Sequence, residues 1–323
     1  MVNEVGLDPG LDHMSAMKII DDVHARGGFV RSFKSVCGGL PAPEAANNPL
    51  KYKFSWSPKG VLTASQNAAR FRWEMELVEV DGAELMQSVK PFADAWPDIS
   101  LEYLPNRDSL KYEKVYGLPG VETIFRGTLR FAGFSDLMGV FLKMGLCEAI
   151  PAGGQCWEDA LATLRRRAGV SSNEELLLKS AKGNKELADR TKDSLMWLQM
   201  DDGTSLSDTE SIIDSFCDVL TKHLEFGAEE RDMVAMHTAI EATFEDGKKE
   251  LHQSSLLAFG DDKMSAMCRT VGFPTAAAAD LVMSGELVDM KGLVLPTDKR
   301  VYQPILDACE KEGISFDETV EYV

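Results

Sequence analysis

Apolar residues recur at helical spacing over residues 11–26, where Met14, Met17, Ile20 and Val23 fall on one face and Gly27-Gly28 closes the run. The period then shortens to two. Residues 29–36 alternate as a strand does, and 77–80, 99–104 and 122–131 repeat the pattern further on. The last of these sets Arg126, Thr128 and Arg130 on one side; by pattern alone that side belongs to a solvated edge strand or is opposed by anions. Helical spacing resumes behind Ser57-Pro58, an N-cap serine followed by proline in the first helical position, with Val61, Leu62, Ser65, Ala68 and Ala69 on one face.

From 133 to 226 the pattern is helical throughout. Leu137, Val140, Phe141 and Met144 open it, and runs at 157–168, 174–197 and 207–224 follow, separated by polar turns such as Gly153-Gly154 and Asp201-Asp202-Gly203. This predicts a helical insertion with a core of its own. Alternation returns with Val234, Met236, Ile240, Ala242 and Phe244, turns at Asp246-Gly247 and comes back over 250–259. Long antiparallel hairpins of this kind extend a sheet or pair across a dimer axis. Helices at 264–271, 275–284 and 301–312 and a strand at 314–323 complete the chain.

Between the strand at 29–36 and the helix behind Ser57 lies a long segment read as a loop, Cys37-Gly38-Gly39-Leu40-Pro41-Ala42-Pro43-Glu44, continuing through Asn47-Asn48-Pro49 to Trp56. The two glycines let another group approach the main chain closely, and the prolines hold the segment in one shape. The free N–H groups of the helix that follows would point back at the loop, which suits a phosphate or carboxylate as well as it suits a plain capped connection. Asp8 precedes a proline, so its carboxylate sits in a turn at the mouth of the first helix.

Composition narrows the partners. Lys and Arg number 34 against 52 Asp and Glu, a formal charge of −18 that argues against nucleic acid or an anionic membrane surface and requires locally concentrated arginine for any anionic ligand. The six cysteines and five histidines lack metal-ligand spacing, so reduced thiols and no metal are expected. No apolar run approaches the roughly 18 residues of a membrane span, and a soluble, intracellular protein is the default expectation. A chain of 323 residues is long enough for two domains, or one with a large insertion.

The run from Cys37 through Asn47-Asn48-Pro49-Leu50-Lys51-Tyr52-Lys53-Phe54 to Ser55-Trp56-Ser57-Pro58 resembles the signature of glutamate-forming saccharopine dehydrogenases, also called saccharopine reductases. Gly6-Leu7-Asp8-Pro9-Gly10-Leu11-Asp12-His13, Pro105-Asn106-Arg107-Asp108-Ser109 and Arg126-Gly127-Thr128-Leu129-Arg130 match the same family in the same order. The resemblance implies an α/β fold: a mixed-sheet substrate-binding domain with an all-helical insertion and a C-terminal return that would complete a Rossmann domain. The expected division is a first part of the α/β domain at 1–132, the insertion at 133–228, a β-hairpin return at 229–275 and the C-terminal segment at 276–323.

The implied activity interconverts saccharopine with glutamate and 2-aminoadipate 6-semialdehyde through an imine, with NADP as cofactor and NAD as the alternative. By resemblance, Arg107 binds one substrate carboxylate and Thr128, Leu129 and Arg130 another; Cys37 and Gly38 line the cleft. Leu7, Asp8, Pro9 and Ser57 border the cofactor, and Asp8 also touches substrate as the candidate general acid–base. A homodimer in the cytoplasm, with the mitochondrion as alternative, is the expected setting. In the family a dinucleotide-binding domain precedes the turn at Asp8; this chain opens at that point and contains no GxGxxG, so alone it is expected to bind cofactor poorly and turn over little. A carboxyspermidine-type dehydrogenase and a catalytically silent binding or dimerising module are the rival readings.

Overall fold

The computed structural model describes residues 1–200 and 203–322. Its spine is one mixed sheet of nine strands in the order β3-β2-β6-β1-β7-β8-β9, with β5 also paired to β6 and β4 beyond it. The strands are β1 (Phe29–Pro41), β2 (Ala69–Trp73), β3 (Glu76–Val80), β4 (Lys90–Phe92), β5 (Leu101–Pro105), β6 (Thr123–Phe131), β7 (Asp232–Thr243), β8 (Lys249–Phe259) and β9 (Asp317–Tyr322). Only β1 and β6 run parallel, in register from Ser32↔Thr123 to Cys37↔Thr128. Beyond that point β1 continues beside β7 alone, while β6 pairs with β5.

Two hydrophobic cores lie on the two sides of the sheet. One joins Phe33, Ile124, Val234 and Met236 to helix α1 (Leu11–Ala25), and to two helices from the C-terminal part, Ala266–Met283 and Lys299–Lys311. The other joins Val36, Phe125, Leu129 and Ala235 to the helical insertion. In chain order the remaining helices are α2 (Pro58–Ala64), α3 (Lys111–Val115), α4 (Phe134–Met144), α5 (Trp157–Ala168), α6 (Asn173–Ser180), α7 (Lys185–Trp197), α8 (Ile212–His223), and then α9 (Ala266–Met283) and α10 (Lys299–Lys311). Trp157, Phe141 and Phe216 are fully buried in the insertion, and side chains of this size each withdraw enough apolar surface for about 2–3 kcal/mol.

Several expectations change. The segment Cys37 to Pro41 is strand, not loop, because β7 hydrogen-bonds to it without a break as far as Pro41↔Asp232. The helix behind Ser57 stops at Ala64, and Ala69 opens β2. Residues 174–197 form two helices, α6 and α7, broken where Lys182 and Gly183 take positive φ. The two helices expected between 264 and 284 are one, α9, with Pro274 inside it. β6 is an interior strand instead of a solvated edge, and Arg126 and Arg130 are buried in it. The expected turn at Asp201-Asp202 and the last residue of the terminal strand, Val323, lie outside the described residues.

The C-terminal segment packs on the same unit: α10 lies against α9 and α1, and β9 adds an edge beside β8. Among the described residues no helix is long and apolar enough to cross a membrane.

Candidate functional site

The site gathers at the C-terminal ends of the two parallel strands, the position where open α/β sheets bind ligands because flanking connections diverge there. Helix α1 runs antiparallel to β1, so its N-terminal turn, with Asp8 and Asp12, arrives at the same end. The turn after β5 is pinned there too. Ser109 Oγ accepts the Arg126 N–H at 3.0 Å, Asn106 N donates to the Arg126 carbonyl at 2.9 Å, and Arg70 N donates to the Arg107 carbonyl at 2.8 Å. Asp108 Oδ1 accepts Leu110 N at 3.0 Å and completes the turn. Arg107 is held with φ 49°, a conformation uncommon for a side-chain-bearing residue and one tolerated when surrounding bonds impose it.

Gly38 permits the crossing of β1 and β6. A Cβ on it would lie 2.8 Å from the Leu129 carbonyl oxygen, inside van der Waals contact with the main chain. At Gly39 a Cβ would meet the Met267 methyl at 2.2 Å and Ser55 Oγ at 3.2 Å, so the segment leading to Ser57 passes directly over β1.

Arg126 and Arg130 occupy one face of β6 with opposite surroundings. Arg126 donates through Nη2 to Asp8 Oδ1 and to Asp12 Oδ2, and its guanidinium lies 4.3 Å from the centre of the Tyr112 ring. Asp12 is fixed in turn by Gly10 N at 2.6 Å. Behind it His13 shares hydrogen bonds with Tyr116 Oη at 2.7 Å and Glu4 Oε2 at 2.9 Å. Burial pushes the Asp8 carboxyl up to about 6; Arg126 opposes the shift, Asp12 adds to it, and His13 opposes it. The side chain of Asp8 keeps 21 % of its surface open, so the group is crowded yet reachable. Cys37, buried beside this cluster, has its thiol pushed well above its usual value, chiefly by burial and then by Asp8 and Asp12.

Arg130 is 6 % exposed and stacks over Tyr52 and Phe134, at 5.2 and 5.4 Å from their ring centres. Its Nη1 donates to the Leu129 carbonyl at 2.9 Å. Among the described residues no carboxylate pairs with it, and none pairs with Arg107. A buried cation without a counter-ion is costly, by several kcal/mol, unless an anion is supplied. Arg107, Thr128 and Arg130 line one cavity of about 30 Å³, with Asn67 and Asn106 beside them.

The remaining expected residues fall as follows. Leu129 buries its side chain in the core and does not line this cavity. Leu7 is buried and Pro9 exposed, on either side of Asp8. Ser57 is exposed and caps α2 by accepting Gly60 N at 3.3 Å; neither it nor Asp8 lines the cavity of the two arginines. The seven-residue α2 and Lys59, paired with Asp214 at 2.8 Å, offer no free cation for a dinucleotide phosphate.

A larger cavity, about 680 Å³, opens between α1, α10 and the β8–β9 edge. Several of its charged groups are engaged, Arg26 with Glu250 and Lys18 with Glu318, and Tyr302 Oη donates to Asp21, while Lys299 on its wall forms no ion pair among the described residues. Asp12, Arg126 and Tyr112 were not singled out as site residues in the sequence. Asp12 stands in the first turn of α1, and only the packing of α1 on the sheet brings it to Arg126.

The model of the saccharopine dehydrogenase C-terminal domain matches residues 6–314. Mouse mitochondrial alpha-aminoadipic semialdehyde synthase is 40% identical over 328 residues, covering 98% of this chain and 35% of that protein. The NADP(+), L-glutamate-forming saccharopine dehydrogenase of Schizosaccharomyces pombe is 35% identical over 332 residues, covering 99% of this chain and 73% of that protein. The chain superposes on the apo, histidine-tagged saccharopine dehydrogenase (L-Glu forming) of Saccharomyces cerevisiae with a TM-score of 0.87 at 34% identity, covering 99% of this chain and 74% of that one. It thus spans about a third of the mouse relative and about three quarters of the fungal ones.

Proposed function

Because this chain belongs to the saccharopine dehydrogenase C-terminal domain family, we propose that it forms the substrate side of a glutamate-forming saccharopine dehydrogenase acting in lysine metabolism. The reaction interconverts saccharopine with glutamate and 2-aminoadipate 6-semialdehyde. NADP, when bound, supplies or takes the hydride.

In this reading Arg130, Thr128 and Arg107 hold a substrate carboxylate, with charge-assisted hydrogen bonds of about 1.5–3 kcal/mol each. Cys37, thiol-protonated, and Gly38 line the cleft. Leu7, Pro9 and Ser57 face the cofactor side. Asp8 exchanges a proton with the substrate nitrogen: a carboxyl at about 6 can give a proton below that pH and take one above it. Arg126 keeps Asp8 oriented and supplies no carboxylate contact, since Asp8 and Asp12 already engage it.

The observation that carries the reading is the unpaired, buried guanidinium of Arg130 in a cavity shared with Arg107 and Thr128. Calorimetric titration with L-saccharopine tests it. Binding weakened at least tenfold in Arg130→Gln and in Arg107→Ala is the expected result; unchanged affinity in both refutes the carboxylate assignment. NADPH oxidation by the chain joined to a nucleotide-binding domain, given glutamate and semialdehyde, tests the activity. A homodimer belongs to the same reading, but β9 covers the outer edge of β8, so pairing there would need β9 displaced. Sedimentation equilibrium measures the assembly.

A further inference from the structure

Asn67 lies in the short connection between α2 and β2 and lines the cavity of Arg107, Thr128 and Arg130. Its Nδ2 is buried and has no hydrogen-bond partner among the described residues. The connection is rigidly held: Gln66 N and Asn67 N donate to Thr63 and Ala64 carbonyls at 3.1 and 3.2 Å, and the Gln66 carbonyl sits so close over Gly82 that a Cβ there would come within 2.0 Å. A fixed amide donor left empty in a buried place costs about as much as a lost hydrogen bond. Ser65, its neighbour in the wall, already donates to Val61 at 3.0 Å.

We propose that Asn67 is a substrate-binding residue, donating through Nδ2 to the same carboxylate that Arg107, Thr128 and Arg130 hold. The proposal rests on the reading of this cavity as a carboxylate site. The cavity is small, about 30 Å³, which suits a small polar group. Charge supports an anion, because two guanidiniums, a hydroxyl and an amide all donate. Met86, Leu104 and Phe134 form the apolar side of the cavity. Asn67 adds a directional, uncharged donor to two cations, which favours a planar two-oxygen group over a bulkier tetrahedral anion such as phosphate.

The test is calorimetric titration of the whole chain with L-saccharopine, with inorganic phosphate as a second probe and thermal unfolding as the check on folding. Asn67→Ala is expected to weaken saccharopine roughly ten- to hundredfold, and the near-isosteric Asn67→Asp, which places a carboxylate against the ligand, to weaken it further. In an Arg107→Ala background Asn67→Ala should cost much less, since partners to one group are not additive. Parental affinity in a folded Asn67→Asp variant, while Arg130→Gln binds poorly, overturns the role of Asn67 and leaves the carboxylate site standing. No saccharopine binding by the parent overturns both. Phosphate binding tighter than saccharopine overturns the shape argument and with it the proposal.

Discussion

Arg126 and Arg130 stand four residues apart on one face of β6, yet one is neutralised by Asp8 and Asp12 and the other awaits an anion. That difference separates them: Arg126 is held by two acids, and Arg130 has no acid partner among the described residues. The burial that raises Asp8 from 3.8 to about 6 also links it to folding. Between these values the unfolded chain has lost the proton while the folded chain keeps it, so the native state binds more protons and stability falls as pH rises through that window. Two units correspond to at most about 3 kcal/mol, with Asp12, His13 and Arg126 facing the group. Urea unfolding between pH 4 and 7 should show that decline in the parent and a flatter profile in Asp8→Asn; parallel profiles would contradict the placement of Asp8. Arg130 stands in a sequence motif, Arg126-Gly127-Thr128-Leu129-Arg130. The pairing of Arg126 is not legible there, because Asp8 and Asp12 lie more than a hundred positions away and meet it only across the sheet.

At the level of elements, the crossing of β1 and β6 decides the shape of the site. Gly38 faces main chain and Gly39 faces the end of a flexible methionine, so two adjacent glycines predict unequal outcomes. Gly38→Ala must push β1 from Leu129, and overpacking of this kind costs about 1–3 kcal/mol. Gly39→Ala needs a rotamer change at Met267 and a small shift of Ser55 Oγ, and should cost about 1 kcal/mol. Denaturant midpoints of the two variants check this; equal losses would mean the strands can separate freely. The alternating residues of β6, β7 and β8 were legible as strands, since burial enforces their period. The strand through Cys37 to Pro41 was not, because glycine and proline ordinarily mark a loop. Here β7 supplies a full set of hydrogen-bond partners, and close approach to Leu129 makes glycine necessary.

On the scale of the molecule, a net charge of −18 surrounds a cavity lined by unpaired arginines. The distant acids repel a ligand of net negative charge over lengths that salt screens, about 10 Å at 0.1 M, whereas the buried contacts are screened far less. Raising ionic strength from about 0.01 to 0.1 M should therefore speed association of saccharopine, measured by stopped-flow, while dissociation changes little. Slower association with salt would mean that attraction, not repulsion, governs the approach.

Period, capping and the four motifs determined much by themselves: most helices and strands, and the family. Those signals are local, fixed by spacing along a few turns or by a short run of residues. The tertiary structure alone decided which arginine is free, which acids crowd one another, and that Asn67 joins the cavity. Each of these depends on which distant segments pack side by side, and on how burial prices a charge or a donor once water is gone.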